Sequence, residues 1–514
     1  MKKAFSVFLA FGLTLAYGTS CTLYAEKITL IHSNDTHGTF KPFKIKAKNG
    51  ERLVGGMEAA SHYINEIRAK EKNVLLIDTG DIMTGTLASE IEYKGVTGGA
   101  MIEFLNRLGY DIWCYGNHCF DRGKENAKRL IGLAKFPTVM TNIVYEKNGK
   151  IFHAKPYHIF KIGRLKVGVI AIMEEDFLLE VQKDMVDGLN VLPVVPTLNS
   201  YIPDLDKQTD LIVLLSHSRF NQGIEIAKQI SGIDIVLVAS EDGKFEEING
   251  VLIKSTEGHQ NTLGYLKVEV ENDKVVNHEE ELIWLWADVD LKPSPQVTAL
   301  VKEVEVSIGT EYAKVIGEAK LDHTRRRYPV GDARIECGLG DWITDAMRWK
   351  TGVQIGLHNS GGIRADIKKG PVTKADVFNV YPFQGTLVLF KLTGQQLKQA
   401  LENDIERGED RLQVSGIKYK YYLKKAKPYG KRVDFAEVNG DVLVRGGKVL
   451  YPKRVYTVVS NDYLVGHAED KYFGFPAAEP QNTDMPLNQV LIDWLTEFKV
   501  LDYRFEDRIV QLNK

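Results

Sequence analysis

The sequence has 514 residues, and its 66 Lys and Arg against 68 Asp and Glu give a formal net charge of −2. This balance argues against a protein that coats nucleic acid or lies on an anionic membrane surface, since both tasks favour a strongly basic chain. A hydrophobic content of 44% and a charged content of 26% exclude a mainly disordered chain or a polytopic membrane protein. The length predicts two or three domains.

The N-terminus has the pattern of a secretory signal. A short basic start precedes an uncharged apolar run over residues 4–17, which is too short for a comfortable membrane span. We expect cleavage after Ala25, which gives a signal peptide over residues 1–25 and an exported protein of the periplasm or cell surface. Two alternatives stay open: lipoprotein cleavage before Cys21, which would anchor the chain by a lipid, and an uncleaved anchor helix.

Short apolar runs alternate with amphipathic stretches over residues 26–290, which is typical of an α/β layered domain. The amphipathic stretches predict helices at residues 57–70 and 99–108. The apolar runs predict buried strands at residues 28–31, 74–77, 165–172, 211–215 and 233–238.

A proline-rich break at Pro293-Ser294-Pro295 ends this first block. Residues 296–307 have helical spacing, so we predict a linker helix within residues 291–314. A second alternating block over residues 315–514 predicts a further α/β domain.

Four polar motifs each follow an apolar run, and the carboxyl ends of strands are where open α/β sheets bind ligands. Taken singly, each motif is more often a turn than a metal site. Four in succession favour a metal site, because Asp, His and Asn are the ligands that divalent transition metals prefer. The motifs are Ser33-Asn34-Asp35-Thr36-His37-Gly38, Asp78-Thr79-Gly80-Asp81, Tyr115-Gly116-Asn117-His118-Cys119-Phe120-Asp121 and Ser216-His217-Ser218.

The residue types in these motifs predict a two-metal hydrolase. Asp35 and His37 can reach one ion, and the two oxygens of Asp81 can bridge to a second ion about 3.5–4 Å away. Such a pair of ions would clamp a phosphate and activate a shared water for in-line attack. His118 beside Asp121 supplies an imidazole for the transition state or leaving group.

The series of motifs resembles that of the calcineurin-like metallophosphoesterases, and the second block resembles the C-terminal domain of 5′-nucleotidases. From about residue 28 onward, the chain looks like a secreted bacterial 5′-nucleotidase/UDP-sugar hydrolase. This resemblance implies a four-layer α/β/β/α sandwich domain, joined by the linker helix to a smaller α/β nucleotide-binding domain. The C-terminal motifs are Glu336-Cys337-Gly338-Leu339-Gly340-Asp341, Asn359-Ser360-Gly361-Gly362-Ile363-Arg364, Tyr381-Pro382-Phe383 and Leu412-Gln413-Val414-Ser415-Gly416-Ile417.

The resemblance also implies a role for each matching residue. His118 and Asp121 match the catalytic pair. Phe383 and Tyr463 match the two aromatics between which the family stacks its base, although core packing is the ordinary role of such residues. Metal ligands are matched by Asp35, His37, Asp81, Asn117 and His217, and substrate-binding positions by Asn359, Arg364 and, less closely, Arg334.

The sequence departs from the family pattern at a metal-binding motif. Where the family carries Gly-His-x-His or Gly-His-x-Gln, this chain has Ser240 and Asp242 at the two ligand positions. We expect Asp242 to bind one ion, whereas Ser240 is a poor replacement for imidazole. His259 is an alternative ligand, although an ordinary loop position is the more common interpretation of such a residue.

Two further departures concern single loops. Cys119 stands where the family has Glu, and a thiol near metal ions can coordinate or oxidise. After Tyr463 the usual Gly-Gly-Asp-Gly is replaced by a stretch that contains Glu469 and Asp470, and we expect Asp470 to bind substrate. Loops of this kind define the shape of a pocket.

We therefore expect an exported metal-dependent phosphoesterase that hydrolyses nucleotide phosphates, with UDP-sugars and cyclic nucleotides as further candidate substrates. The expected cofactors are two divalent ions, zinc or manganese, with one site weakened by the loss of imidazole. The expected partner is a nucleotide or nucleotide sugar and not a nucleic-acid polymer. The alternative is a catalytically degenerate relative that binds nucleotide with an incomplete metal site.

Overall fold

The computed structural model describes residues 25–47, 50–181, 183–325, 336–383, 385–408 and 411–512. The predicted signal peptide up to residue 24, with Cys21, lies outside the described residues, and so does the predicted substrate-binding residue Arg334. Among the described residues, no helix combines the length and the apolar character needed to cross a membrane.

The first sheet of the N-terminal half forms around the apolar strand Glu26–Ser33. This strand pairs in parallel with Val74–Asp78 and antiparallel with Thr262–Glu271. The order in the sheet is Lys274–Trp284, Thr262–Glu271, Glu26–Ser33, Val74–Asp78 and Ile112–Trp113.

The second sheet packs face to face with the first. Alternate residues of its strands point to opposite sides: Val167 and Val169 join the core shared with the first sheet, whereas Ile170 and Ile172 pack in a separate core with nearby helices. The order in this sheet is Phe245–Ile248, Val251–Lys254, Ile235–Val238, Leu211–His217, Leu165–Met173 and Tyr157–Ile162.

Helices cover the outer side of each sheet. Met57–Lys70 and Gly99–Leu108 contribute buried residues to the core of the first sheet, and Val194–Asp206 and Phe220–Gln229 to the outer core of the second. The predicted four-layer α/β/β/α sandwich is thus confirmed. Other short elements of this half are Lys124–Leu133 and Phe177–Glu180 and the strand pairs Phe43–Ala47 with Gly50–Val54, Glu92–Tyr93 with Val96–Thr97, and Ile143–Tyr145 with Leu189–Val191.

The helix Pro295–Tyr312 connects the two halves and packs on the first one. Its residues Val297, Leu300 and Val304 are fully buried in the N-terminal core. The helix is interrupted at Gly309, whose φ of 70° and ψ of 170° are not helical. The chain therefore changes direction close to the point where the second half begins.

The described residues of the C-terminal half form three further sheets with helices between them. The central one has the order Leu412–Ser415, Ile355–Asn359, Val455–Asn461, Thr386–Thr393 and Ala478–Pro486. The second has the order Lys448–Val449, Asp441–Arg445, Val433–Val438, Ile417–Tyr422 and Ile509–Leu512, and the third Gly370–Thr373, Val315–Ala319 and Val500–Leu501. The helices are Gly338–Thr351, Lys374–Val380, Gly394–Arg407, Asp462–Gly466 and Leu487–Phe498.

Candidate active site

The loops that follow two neighbouring parallel strands form the floor of the site. Asp35 and His37 follow the first strand, and Asp81 follows its neighbour. The backbone N–H of His37 donates to the backbone oxygen of Asp81 at 2.9 Å. The φ angles of Asp35, His37 and Asp81 are 50°, 47° and 54°, a left-handed conformation that costs a non-glycine residue about 1–3 kcal/mol. Strain of this kind clusters at functional sites, where the surrounding structure holds it in place.

His217, at the end of a strand in the second sheet, meets Asp35 and Asp81. One possible ligand atom from each of the three residues lies within 4.8 Å of the others. His217 Nδ1 donates to the backbone oxygen of Thr79 at 2.9 Å. Its Nε2 lies 3.4 Å from Asp81 Oδ2 and 3.0 Å from Asn117 Oδ1. A ligating histidine usually donates its other ring N–H to such a carbonyl, so the orientation of His217 fits that of a metal ligand.

A second group of ligand atoms consists of His37, Asp81 and His118, again within 4.8 Å of one another. His37 Nδ1 lies 2.9 Å from the backbone oxygen of Thr84, and its Nε2 lies 3.8 Å from Asp35 Oδ1. This is the same arrangement as at His217, with one ring nitrogen fixed by the backbone and the other directed at carboxylates. Asp81 belongs to both groups, as a bridging ligand must.

The charges of these buried residues also fit divalent cations. Burial raises the pKa of Asp35 to about 8. Burial opposes the ionisation of Asp81, but the charges of His217 and His118 lower its pKa overall. Burial would lower the pKa of His217, yet Asp81 raises it to about 10. The buried carboxylates thus need compensating positive charge, and oxygen and imidazole donors of this kind suit a transition metal at this place.

His118 is held by a carboxylate on its outer side. Its Nδ1 lies 2.8 Å from Asp121 Oδ2, and the Thr84 hydroxyl donates to that same oxygen at 2.6 Å. Burial lowers the pKa of His118, but the carboxylates of Asp121 and Asp81 more than offset this and raise it above its usual value. The ring is therefore fixed in orientation and favours its protonated form, as a general acid requires.

A cavity of about 700 Å³ opens beside the two groups of ligand atoms. Its size is that of a small-molecule site. Both halves of the chain line it, the first with Asn117, His118, Asp121 and Arg122, and the second with Asn359, Arg364, Phe383 and Tyr463.

Arg364 and Phe383 bring the C-terminal half close to the two groups of candidate ligand atoms. Arg364 Nη2 lies 3.5 Å from His37 Nε2, and the Arg364 guanidinium carbon lies 6.0 Å from the centre of the Phe383 ring. The Phe383 ring centre lies 6.1 Å from that of His118. A phosphate near the ligand groups would thus lie next to a guanidinium, and any attached aromatic group next to the Phe383 ring.

Comparison with known proteins matches both halves to families. The calcineurin-like phosphoesterase family matches residues 28–250, and the 5′-nucleotidase C-terminal domain matches residues 315–478. The chain is a calcineurin-like phosphoesterase with a 5′-nucleotidase C-terminal domain. It is therefore a hydrolase.

Its relatives include several 5′-nucleotidases. It is 27% identical to the 5′-nucleotidase of Bos taurus, over 94% of this chain and 90% of that protein. It is 29% identical to the snake venom 5′-nucleotidase of Naja atra, over 79% and 84% of the two chains. The crystal structure of a 5′-nucleotidase precursor from Thermus thermophilus superimposes with a TM-score of 0.84 at 26% identity, over 95% of this chain and 100% of that one.

In this phosphoesterase the polar residue Asn359 and the aromatic residue Tyr463 also line the cavity. Asn359 is buried, and its Oδ1 accepts a hydrogen bond from Asn461 Nδ2 at 3.1 Å. The Tyr463 hydroxyl donates to the backbone oxygen of Leu179 at 2.9 Å and accepts from Lys471 Nζ at 3.1 Å. Tyr463 therefore lines the pocket with its ring and joins the two halves with its hydroxyl.

Asp470 does not line the cavity, although the sequence predicts it as a substrate-binding residue. Its Oδ2 accepts a hydrogen bond from Lys183 Nζ at 2.7 Å, and its side chain is 42% exposed. The adjacent Lys471 lines the cavity instead and lies 3.0 Å from Glu180 Oε1. The replacement of the family's glycines thus produces ion pairs between the two halves at the edge of the pocket.

Asp242 lies outside both groups of ligand atoms, as do Glu241 and His259. Its Oδ1 accepts hydrogen bonds from the Ser240 hydroxyl at 3.0 Å and from the Ser255 hydroxyl at 2.9 Å, and its Oδ2 lies 2.6 Å from Lys244 Nζ. These partners hold the carboxylate in the loop. The structure therefore corrects the placement that the sequence predicts for Asp242.

Two more residues lie near the ligands: Glu241, which the sequence prediction misses, and His259, which it leaves as an alternative. Glu241 Oε1 lies 3.7 Å from His37 Nε2 and 3.0 Å from His259 Nε2. The signal for Glu241 is its place next to the expected ligand position. Cys119 is buried, and burial raises its pKa well above the usual value, so it remains a thiol.

Proposed function

We propose that this hydrolase releases phosphate from nucleotides, with two divalent ions, zinc or manganese, as cofactors. The observation that carries the proposal is the sharing of Asp81 by two groups of ligand atoms beside a cavity that both halves line. The activity for which the relatives are named, 5′-nucleotidase, supports the same substrate class. The residues that would hold the ions are Asp35, His37, Asp81, Asn117 and His217.

Two divalent ions bound here would polarise a phosphate ester and supply an activated water as the nucleophile. Arg364 would bind phosphate oxygens, because its guanidinium lies next to the ligand groups and presents paired N–H donors. His118 would steady or protonate the leaving oxygen. Asp121 holds its Nδ1 at 2.8 Å and favours the protonated ring, which leaves Nε2 as the proton donor.

The C-terminal half would bind the base of a nucleotide. Phe383 and Tyr463 both line the cavity, and aromatic faces stack on any base with little sequence preference. Asn359 adds an amide to the same pocket. This arrangement favours nucleoside monophosphates, with UDP-sugars and cyclic nucleotides as further substrates to be compared.

We also propose that the mature protein acts outside the cytoplasm, in the periplasm or at the cell surface. The support is the N-terminal sequence, a basic start followed by an uncharged apolar run over residues 4–17. Mass spectrometry of the protein recovered from its natural host distinguishes cleavage after Ala25 from lipidation at Cys21.

The test of the activity is phosphate release by the purified chain, first stripped of metal and then supplied with Zn²⁺ or Mn²⁺. The substrates are AMP, UDP-glucose, a 2′,3′-cyclic nucleotide and glycerol 2-phosphate. We expect metal-dependent release from AMP at a kcat/KM well above that for glycerol 2-phosphate. No release with either metal would overturn the proposal.

One observation favours a second candidate, a nucleotide binder without turnover. Ser240 stands where the family has an imidazole ligand, and its hydroxyl is bonded to Asp242. A protein that binds AMP in calorimetry but releases no phosphate with Zn²⁺ or Mn²⁺ would establish this candidate.

A further inference from the structure

Glu241 and His259 meet beside His37, on the side of the site where the family motif is missing. Glu241 Oε1 lies 3.0 Å from His259 Nε2 and 3.7 Å from His37 Nε2. The ring centres of His37 and His259 are 5.2 Å apart. An oxygen and two imidazole rings therefore converge at one place, and two of these three residues lie outside the set of ligands assigned above.

The loop that carries His259 is attached directly to the metal-binding loop. The backbone N–H of His259 donates to the backbone oxygen of Asp35 at 2.7 Å. His259 has a φ of 46°, the left-handed conformation that Asp35 and His37 also adopt. The backbone hydrogen bond to Asp35 thus fixes the position of His259 relative to the loop that carries Asp35 and His37.

The preceding glycine makes room for Glu241. Gly258 has a φ of 67°, and a Cβ there would lie 2.8 Å from Glu241 Cγ. The Glu241 side chain thus packs across Gly258 to reach His259. Its side chain remains 43% exposed, so the carboxylate has space to adjust when a cation binds.

Two of the three separations are close to those of ligands of a single ion, although the three residues do not form one of the two groups of ligand atoms described above. Donor atoms about 2.0–2.2 Å from one ion lie about 2.8–3.6 Å apart for angles between 90° and the tetrahedral angle. The Glu241–His259 distance of 3.0 Å is within this range, and the Glu241–His37 distance of 3.7 Å is just beyond it. The alternative ligand Asp242 is excluded by its bonds to Ser240 and Ser255.

We infer that Glu241 and His259 complete the ligand shell of the ion on the His37 side and replace the missing family motif. The inference rests on the proposed two-metal function. It gives this ion a carboxylate and an imidazole from neighbouring loops, in place of the residues of one motif. The chemistry is that of a zinc or manganese site with mixed oxygen and nitrogen donors.

The test measures metal binding and not turnover. Metal-free protein is titrated with Mn²⁺ by equilibrium dialysis and with Co²⁺ by visible absorption, which reports the coordination of the ion. The variants are Glu241→Gln, which keeps the shape but removes the charge, and His259→Asn, since Asn tolerates the left-handed backbone. Asp242→Asn is the matched control, because it removes the neighbouring carboxylate. Thermal unfolding checks that each variant is folded.

We expect the parent to bind two ions, and Glu241→Gln and His259→Asn each to weaken one of them at least about tenfold while the other is retained. Asp242→Asn is expected to keep both affinities within about twofold of the parent. Parent-like binding of both ions by Glu241→Gln and His259→Asn would overturn this inference and leave the proposed function intact. A parent that binds no Mn²⁺ or Co²⁺ would overturn both.

Discussion

The carboxylate of Asp81 accepts a hydrogen bond from the backbone N–H of His118 at 3.0 Å, through Oδ1. Its Oδ2 lies 3.9 Å from His118 Nε2 and 3.4 Å from His217 Nε2. One oxygen is thus fixed by the backbone of the loop that carries the proposed acid, and the other lies between two imidazoles. The carboxylate of Asp81 thus contacts both the proposed acid His118 and His217, which belong to the two different groups of ligand atoms.

Asp81→Asn should therefore remove most of the phosphatase activity. The amide keeps the shape of the side chain, but the negative charge between the two groups of ligand atoms is lost. We expect kcat to fall at least about 100-fold, the order found when one electrostatic contact to a transition state is removed. The measurement is phosphate release from AMP. Glu246→Gln is the control, because it removes a carboxylate from an exposed position. Parent-like activity of Asp81→Asn would contradict the two-metal proposal.

Gly116→Ala should displace the carboxylate of Asp81 and so lower the activity. A Cβ at Gly116 would lie 2.0 Å from Asp81 Oδ1, and the φ of Gly116 is −99°, which any residue adopts. The expected loss of activity is thus due to contact with Asp81 and not to backbone strain. Overpacking of this kind costs about 1–3 kcal/mol of stability.

Gly132→Ala is the matched control for that substitution. A Cβ at Gly132 would meet no atom within 4 Å, and the residue lies inside the helix Lys124–Leu133. It should keep full activity and gain up to about 1 kcal/mol of stability. Phosphate release and thermal unfolding are measured for Gly116→Ala and Gly132→Ala. Equal activities of the two variants would show that Gly116 does not position Asp81.

The sequence predicts the buried strands of the N-terminal half well, because strands covered on both faces are continuous apolar runs. The runs at 74–77 and 165–172 lie within Val74–Asp78 and Leu165–Met173. The long antiparallel strands Thr262–Glu271 and Lys274–Trp284 are not continuous apolar runs, so this pattern does not predict them. The first alternates between buried and partly exposed residues, and the second is largely exposed.

The convergence of Asp35, His37, Asp81 and His217 can also be predicted from sequence, because parallel strands bring their carboxyl ends to one edge. The side-chain positions in the loop at 240–242 cannot be predicted in this way. Neighbouring side chains there point in different directions, so a shift of one residue decides whether Glu241 or Asp242 faces His37. The left-handed turn that brings in His259 depends on contacts with a loop more than 200 positions earlier, and no local pattern records it.

Phe383→Ala should raise the KM for AMP while sparing glycerol 2-phosphate. Stacking of a base on an aromatic side chain is worth about 1–3 kcal/mol, so the expected increase in KM is at least about fivefold. Phe383→Tyr retains the ring and should behave like the parent. If Phe383→Ala impairs both substrates equally, the ring serves packing near His118 and does not bind the base.

The C-terminal half contains a buried carboxyl that should limit stability at high pH. Burial raises the pKa of Asp341 to about 9, and Glu336 adds to the effect while Arg508 opposes it. The folded pKa is above the unfolded value of 3.8, so the folded state binds the proton more tightly. The resulting stabilisation is fully present below pH of about 4 and is lost as the pH rises toward 9.

Asp341→Asn removes this titration and keeps the shape of the side chain. Relative to the parent, we expect a higher Tm at pH 9, by about 2–4 °C for each kcal/mol gained, and a smaller difference at pH 5. Asp345→Asn on the same helix is the control, because Asp345 Oδ2 lies 2.8 Å from Arg508 Nη2 and its charge is paired. That variant should show no gain at pH 9, since it weakens an ion pair. Differential scanning calorimetry at the two pH values measures both effects, and a gain for Asp341→Asn that is equal at pH 5 and pH 9 would show that the carboxyl does not titrate in this range.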